Sequence, residues 1–238
     1  MHHKYVVRDG EDVLTGSTNW TDDAFAREEN VMIRISSPVV AGAYTANFEQ
    51  LWSKGKVERS GGTGKRVRIR GGTVQPFFSP KGPLFAHLVA QHLGAADHRV
   101  RILSPVMTAG AILGTLAELA GRHGFDLAGA YDLTQMEEVQ AQWRNVPANH
   151  WKIEAWQVIA PRLSGKRSTP YTEGSVHDYM HAKAVVVDGS IVTGSYNLSR
   201  GGGDNAENVL DITSGALADR FVHFADQVAA RYAAPSPA

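Results

Sequence analysis

The sequence predicts an α/β fold: a mixed β-sheet flanked by helices, made of two pseudo-symmetric units with the first truncated. Three observations lead there. A long motif occurs twice, strand and helix signals alternate between the copies, and the copies are preceded by unequal lengths of chain. Residues 1–36 read MHHKYVVRDGEDVLTGSTNWTDDAFAREENVMIRIS, and residues 180–213 read MHAKAVVVDGSIVTGSYNLSRGGGDNAENVLDIT. Both run Met-His-x-Lys, an apolar stretch, Asp-Gly, a second apolar stretch, Gly-Ser-x-Asn and then Glu-Asn. Such self-similarity marks two related structural units.

Each copy reads as strand, tight turn, strand. Val6 and Val7, like Val185 to Val187, are β-branched, and Asp9-Gly10 and Asp188-Gly189 are turn dipeptides. An amphipathic helix is predicted after each copy, from Val40, Tyr44, Phe48 and Leu51 and from Leu217, Phe221, Phe224 and Val228. Between the copies the patterning predicts strands at 66–70, 73–78, 99–104, 126–131 and 152–159. It predicts helices at 83–93, 110–122 and 133–143, the last opened by Asp132 with Gln135 as a capping box. This order implies a mostly parallel or mixed sheet covered by helices. The expected organisation is the C-terminal half of a first unit at 1–58, a Gly-rich linker at 59–64, a complete second unit at 65–233 and a frayed tail at 234–238. Val74–Met180 precedes the second motif but a single residue precedes the first, so the first unit is expected to lack its front half. An incompletely covered first unit would leave an exposed edge or apolar face, which a homo-oligomer could bury.

Composition removes several classes of function. With Lys+Arg 24 against Asp+Glu 24 the net charge is zero, which argues against a protein whose main task is coating nucleic acid. The absence of cysteine excludes a disulfide scaffold, a zinc ribbon, a thiol nucleophile and an iron–sulfur site. No apolar run is long enough to span a membrane. No signal segment is visible, and localisation is left open. The segment 54–70 is locally basic (Lys54, Lys56, Arg59, Lys65, Arg66, Arg68 and Arg70), and on a strand Arg66, Arg68 and Arg70 share a face. That pattern suits a solvated strand edge or a phosphate-rich surface, whether lipid headgroup or nucleic acid.

Strand periodicity puts His2 with Lys4, and His181 with Lys183, on one face each. Ser17 and Asn19, and Ser195 and Asn197, do the same on the returning strands. Near neutral pH an imidazole serves as nucleophile or proton donor, and two facing imidazoles supply both. Lys4, Lys183, Asn19 and Asn197 could hold the non-bridging oxygens of a phosphoryl group, with Ser17 and Ser195 beside them. The remaining histidines lack metal-ligand spacing, so neither metal nor cofactor is expected. His177 and Tyr179 lie just ahead of the second motif. Trp20 could border the pocket, and the other tryptophans read as core.

The repeated His-x-Lys-x4-Asp followed by Gly-Ser-x-Asn resembles the HKD signature of the phospholipase D superfamily. The first copy supplies His2, Lys4, Asp9, Gly16, Ser17 and Asn19, and the second His181, Lys183, Asp188, Gly194, Ser195 and Asn197. The intervening FSPKGPL at 78–84, RILSPVMT and LAGAYD also look like that family. The resemblance implies metal-independent cleavage or transfer of a phosphodiester through a phosphohistidine, with His2 as nucleophile and His181 as general acid and base. It also implies a carboxylate shortly after Gly-Ser-x-Asn to hold each histidine, and Glu29 and Glu207 stand at the same offset. Glu28, one position away, would face the other way on a strand, as would His3. Asp9 and Asp188 are expected to fix the hairpins. The expected substrate class is a phosphatidyl-type phosphodiester. The alternatives are a nuclease of the same superfamily and an inactive phosphodiester-binding fragment.

Overall fold

The computed structural model describes residues 1–58, 60–80 and 84–233. Two antiparallel hairpins set its frame. In the first, β1 (Tyr5–Arg8) pairs with β2 (Asp12–Gly16), and the turn is made by Asp9 at φ 55° and Gly10 at φ 68°. This left-handed geometry suits Gly and tolerates Asp, which is why that dipeptide stands there. The short helix α1 (Asp22–Ala26) follows, capped by the Thr21 hydroxyl, and then β3 (Met32–Ser36), which completes a three-stranded sheet in the order β1-β2-β3. Helix α2 (Pro38–Lys54) starts at Ser37 with proline in its first turn and stops at Gly55 in the left-handed region.

The rest of the chain forms one large mixed sheet. Its strands are β4 (Gly62–Thr63), β5 (Val67–Ile69), β6 (Gly72–Phe78), β7 (Arg99–Ser104), β8 (Asp126–Asp132), β9 (Ser164–Lys166), β10 (Ala184–Val187), β11 (Ser190–Gly194) and β12 (Asn208–Thr213). The helices between them are α3 (Leu84–Gly94), α4 (Gly110–Gly121), α5 (Leu133–Arg144) and α6 (His150–Ile159), and α7 (Gly215–Arg231) closes the chain. The strand order is β4-β6-β12-β11-β10-β7-β8-β9, with β5 also on β6. Among the described strands only β7–β8 and β8–β9 are parallel, and both are joined through helices, as parallel neighbours require.

Helices α3 to α6 cover one face of this sheet around Ile102, Ile112, Leu116, Met136 and Trp156. On the other face Val186, Ile191, Leu210 and Ile212 meet Val13, Ile33 and Ile35 of the small sheet and Val40 and Tyr44 of α2. One apolar layer therefore joins the two sheets. A buried amide ties them further: Asn208 donates to the Thr15 hydroxyl at 2.8 Å and the Tyr44 hydroxyl at 2.9 Å.

Most expected elements are present within a residue or two. The segment 152–159 is a correction, because it lies in helix α6 and is not a strand. Ile153, Trp156 and Ile159 are the inward residues, a spacing of three that belongs to a helix; reading the apolar run as period two was the error. Asp132 does cap α5, accepting from Gln135 N at 3.0 Å, but its own N–H goes to Pro105 and not to the Gln135 side chain. Phe48 and Trp52 stack on each other on the outer side of α2, 47% and 77% exposed, so these two are not core. Trp151 is exposed as well, whereas Trp143 and Trp156 are buried. Arg59, Lys81 to Pro83 of the FSPKGPL stretch, and the tail from Ala234 fall outside the described residues.

Replacing Asn208 with Ala would leave the buried Thr15 and Tyr44 hydroxyls without that partner. The expected loss is about 1–3 kcal/mol of folding free energy. Urea unfolding followed by fluorescence would check it, and an unchanged midpoint would remove Asn208 as a link between the sheets.

Candidate active site

The two His-x-Lys segments enter at the start of β1 and of β10, and each is pinned by the other hairpin. His2 N donates to Ala206 O at 2.9 Å, while His181 N donates to Glu29 O at 3.0 Å. The lysines repeat the relation: Lys4 Nζ donates to His2 O at 2.9 Å and Lys183 Nζ to His181 O at 2.7 Å. Thr15 and Thr193 donate to the carbonyls of those same lysines. Gly16 and Gly194 are required by close approach. A Cβ there would sit 2.0 Å from Val31 O and 2.1 Å from Asn208 O.

This packing concentrates positive charge. Lys4, Lys183 and His181 are all buried. Burial pulls the Lys4 ammonium down to about 8, with the carboxylates of Glu207 and Glu28 partly opposing. Burial and then the neighbouring Lys4 charge hold Lys183 well below the usual lysine range. Burial, then Lys183, Lys4 and His2, push His181 far below an ordinary histidine. An anion placed among these groups would relieve all three.

The partners of the two histidines differ. His2 Nδ1 lies 2.7 and 2.9 Å from the two oxygens of Glu207, which is buried and also accepts from the Ser195 hydroxyl. Glu29 does not play that part for His181. Its carboxylate is taken by Lys166, Arg231 and Tyr232 on the far side. His181 Nδ1 faces Asn30 Oδ1 at 3.1 Å, with Glu28 Oε2 at 3.4 Å. The register explains the correction. Ser17 N bonds Val31 O just as Ser195 N bonds Asn208 O, so Asn30, not Glu29, occupies the place of Glu207. The signal lay in β3, where Ile33 and Ile35 must point inward as Leu210 and Ile212 do.

Ser17 and Ser195 also depart from expectation. Both are fully buried, and their hydroxyls donate to Asn30 and Glu207 and accept from the N–H groups of Val31 and Asn208. These hydroxyls are thereby engaged with the residues behind the histidines. Asn19 is exposed, and the half-buried Asn197 keeps a buried Oδ1 without a protein partner. Asn197, His181 and Tyr179 line a cavity of about 270 Å³ together with Gln135 and Tyr171. Asp188 fixes its hairpin by accepting from Asp97, His98 and Arg99, whereas Asp9 is exposed and acts through its turn conformation. His3 points away, edge-on to Tyr5 and 3.3 Å from Asn208, and burial lowers it to about 4. Arg66, Arg68 and Arg70 are exposed as the alternation requires, with Arg66 paired to the buried Asp211. Trp20 is 44% exposed and lies against Phe25.

Two sheets joined by one apolar layer thus bring two His-x-Lys segments to a single site. The chain belongs to the phospholipase D superfamily: residues 1–52 and 89–228 match the family described as "Cardiolipin synthase, PLD-like domain". The Xenopus laevis protein named mitochondrial cardiolipin hydrolase is 49% identical over 55 residues, 23% of this chain and 26% of that protein. The chain thus spans about a quarter of the length of the curated relatives it matches. Among solved structures, the phosphatidylserine synthase of Haemophilus influenzae superposes with TM-score 0.66 at 15% identity, covering 96% of this chain and 62% of that one. The phospholipase D family member Nuc of Salmonella typhimurium gives 0.49 at 24% identity, over 68% and 95%.

Two outcomes follow from the geometry. With the Lys4 ammonium lowered to about 8, its charge is present below that pH and lost above it. KM for an anionic phosphodiester should therefore rise above about pH 8, and Lys4→Arg, charged throughout, should flatten the rise. Steady-state kinetics from pH 6 to 10 would check this. Glu29→Gln would leave the buried Lys166 without its counter-charge at an expected cost of about 3–5 kcal/mol. Glu207→Gln should instead lower kcat by about 10²-fold or more. Thermal unfolding and turnover, measured side by side, would separate the two carboxylates.

Proposed function

We propose that this chain is a metal-independent phosphodiesterase of phospholipase D type that cleaves or transfers a phosphatidyl-type phosphodiester. The observation that supports this best is the pair of imidazoles, each with its Nδ1 held from behind and each beside a buried lysine. In the proposed sequence the unprotonated Nε2 of His2 attacks phosphorus. A P–N bond forms, the P–O bond to the leaving alcohol breaks, and the departing oxygen takes a proton from His181. Water or an acceptor alcohol then gives a proton to His181 and attacks phosphorus, breaking the P–N bond. Lys4 and Lys183, with Asn19 and Asn197, stabilise charge on the non-bridging oxygens. No helix among the described residues is long and apolar enough to cross a membrane.

The lipid preference draws support from the family description and from the cardiolipin hydrolases that the chain resembles. A nuclease using the same histidines is the second reading, favoured by the exposed Arg66, Arg68 and Arg70 and opposed by zero net charge. Turnover in EDTA of cardiolipin, phosphatidylcholine, single-stranded DNA and bis(4-nitrophenyl) phosphate tests both. Faster cleavage of a phospholipid than of DNA is expected. Activity lost on chelation and restored by a divalent ion would sink the mechanism, and binding without turnover would favour the inactive fragment. His181→Asn should accumulate a phosphohistidine on His2, seen by denaturing mass spectrometry, and His2→Asn should form none. An adduct in His2→Asn instead would reverse the two roles.

A further inference from the structure

Asn30 stands where the first histidine has its carboxylate. Building on the phosphodiesterase reading above, we infer that Asn30, held by Glu28, is the positioning residue of His181: it keeps a hydrogen on Nδ1 and, unlike a carboxylate, lends no charge to the imidazolium that delivers the acid proton. The amide orientation follows from its own partners. Asn30 Nδ2 donates to Ala24 O at 3.0 Å and to Glu28 Oε2 at 2.9 Å, so both amide protons have acceptors. Its Oδ1 is therefore turned toward Ser17, whose hydroxyl donates to it at 2.6 Å, and toward His181 Nδ1 at 3.1 Å. An amide oxygen only accepts, so Nδ1 carries the hydrogen and Nε2 keeps a lone pair.

An amide and a carboxylate hold a ring equally well but treat its charge differently. Glu207 offers His2 a full negative charge for the imidazolium form. Asn30 offers His181 a dipole. The charged groups around His181 sharpen that difference. Lys183, Lys4 and His2 all disfavour a second proton on it, in addition to its burial. Glu28 is the carboxylate on its Nδ1 side, 3.4 Å away, and is turned to the Asn30 amide; burial holds it above the usual carboxylate range. His181 should thus take up its acid proton at lower pH than a carboxylate-backed histidine would.

The consequence is a dependence on the leaving group. An alkyl alcohol leaves as an alkoxide unless His181 protonates it, whereas 4-nitrophenolate leaves unaided. The protonated form is lost as pH rises, so turnover of an alkyl diester should fall off at the alkaline side while the aryl diester does not follow. Asn30→Asp adds a negative charge beside Nδ1, favours imidazolium, and should move that limb about 1 pH unit upward.

The test is the pH profile of kcat for phosphatidylglycerol and for bis(4-nitrophenyl) phosphate, in wild type and Asn30→Asp. The inference is supported if Asn30→Asp shifts the alkaline limb upward for the lipid alone. It is overturned if that limb stays in place, or if both substrates shift together. A second measurement is independent of turnover: nitrogen-15 NMR of the His181 ring in both proteins. An Nδ1–H tautomer in wild type, titrating at higher pH in Asn30→Asp, supports the inference even in a protein that turns over neither substrate, an outcome that would refute the functional reading alone. An Nε2–H tautomer, or identical titration in the two proteins, overturns the role of Asn30.

Discussion

The reciprocal backbone hydrogen bonds, from His2 to Ala206 and from His181 to Glu29, are the constraint on which the arrangement rests. Each takes the histidine of one hairpin and fixes it to the loop that leads into the last strand of the other. Neither half of the site can be built alone, because the group behind each imidazole comes from the opposite motif. The apolar layer between the two sheets and the amide of Asn208 keep those loops in register. Buried like charges at the junction work against that cohesion, since Lys4 and Lys183 each lower the proton affinity of their surroundings. Packing elsewhere offsets this cost, a common relation between stability and function at binding sites.

Much of this was legible before any coordinates. The duplicated motif fixed the fold class, both hairpins, and the pairing of each histidine with its lysine, because strand period two and a turn dipeptide leave few alternatives. Glu207 was legible too. What failed was counting across a loop. The chain from Gly16 to its bridge partner Met32 is one residue longer than from Gly194 to Val209, so equal sequence offsets do not mean equal places. The inward alternation of β3 decides such a case, and it assigns Asn30. The burial of Ser17 and Ser195 was not legible for another reason. Strand periodicity tells which face a residue shares but not whether that face opens to solvent. Helix α6 was lost to a short apolar run whose period is ambiguous until Ile153, Trp156 and Ile159 are taken together.

Asp132 shows how far from the chemistry the support extends. It caps α5 through Gln135 N, accepts from the Ser168 hydroxyl, and receives Met180 N at 3.0 Å, directly before His181. Burial raises its carboxyl above the usual range, opposed by these donors. One side chain thereby joins the start of a helix, a loop and the approach to the second motif. Among the described residues the first motif has no matching side-chain anchor, and His2 is held by Ala206 and Glu207. The two histidines thus differ in the group behind the ring and in the side chains that fix the backbone leading to them.

Lys166 has a role beyond neutralising a carboxylate. Its ammonium is buried against Glu29 and also donates to the Arg27 carbonyl. Sliding the loop between Ser17 and Val31 by one position would bring Glu29 in behind His181 and strand that ammonium without a counter-charge. Lys166 therefore works as a ratchet pawl on the loop. A cation on the outermost parallel strand thus reinforces, from the far side of Glu29, the register that the inward face of β3 sets.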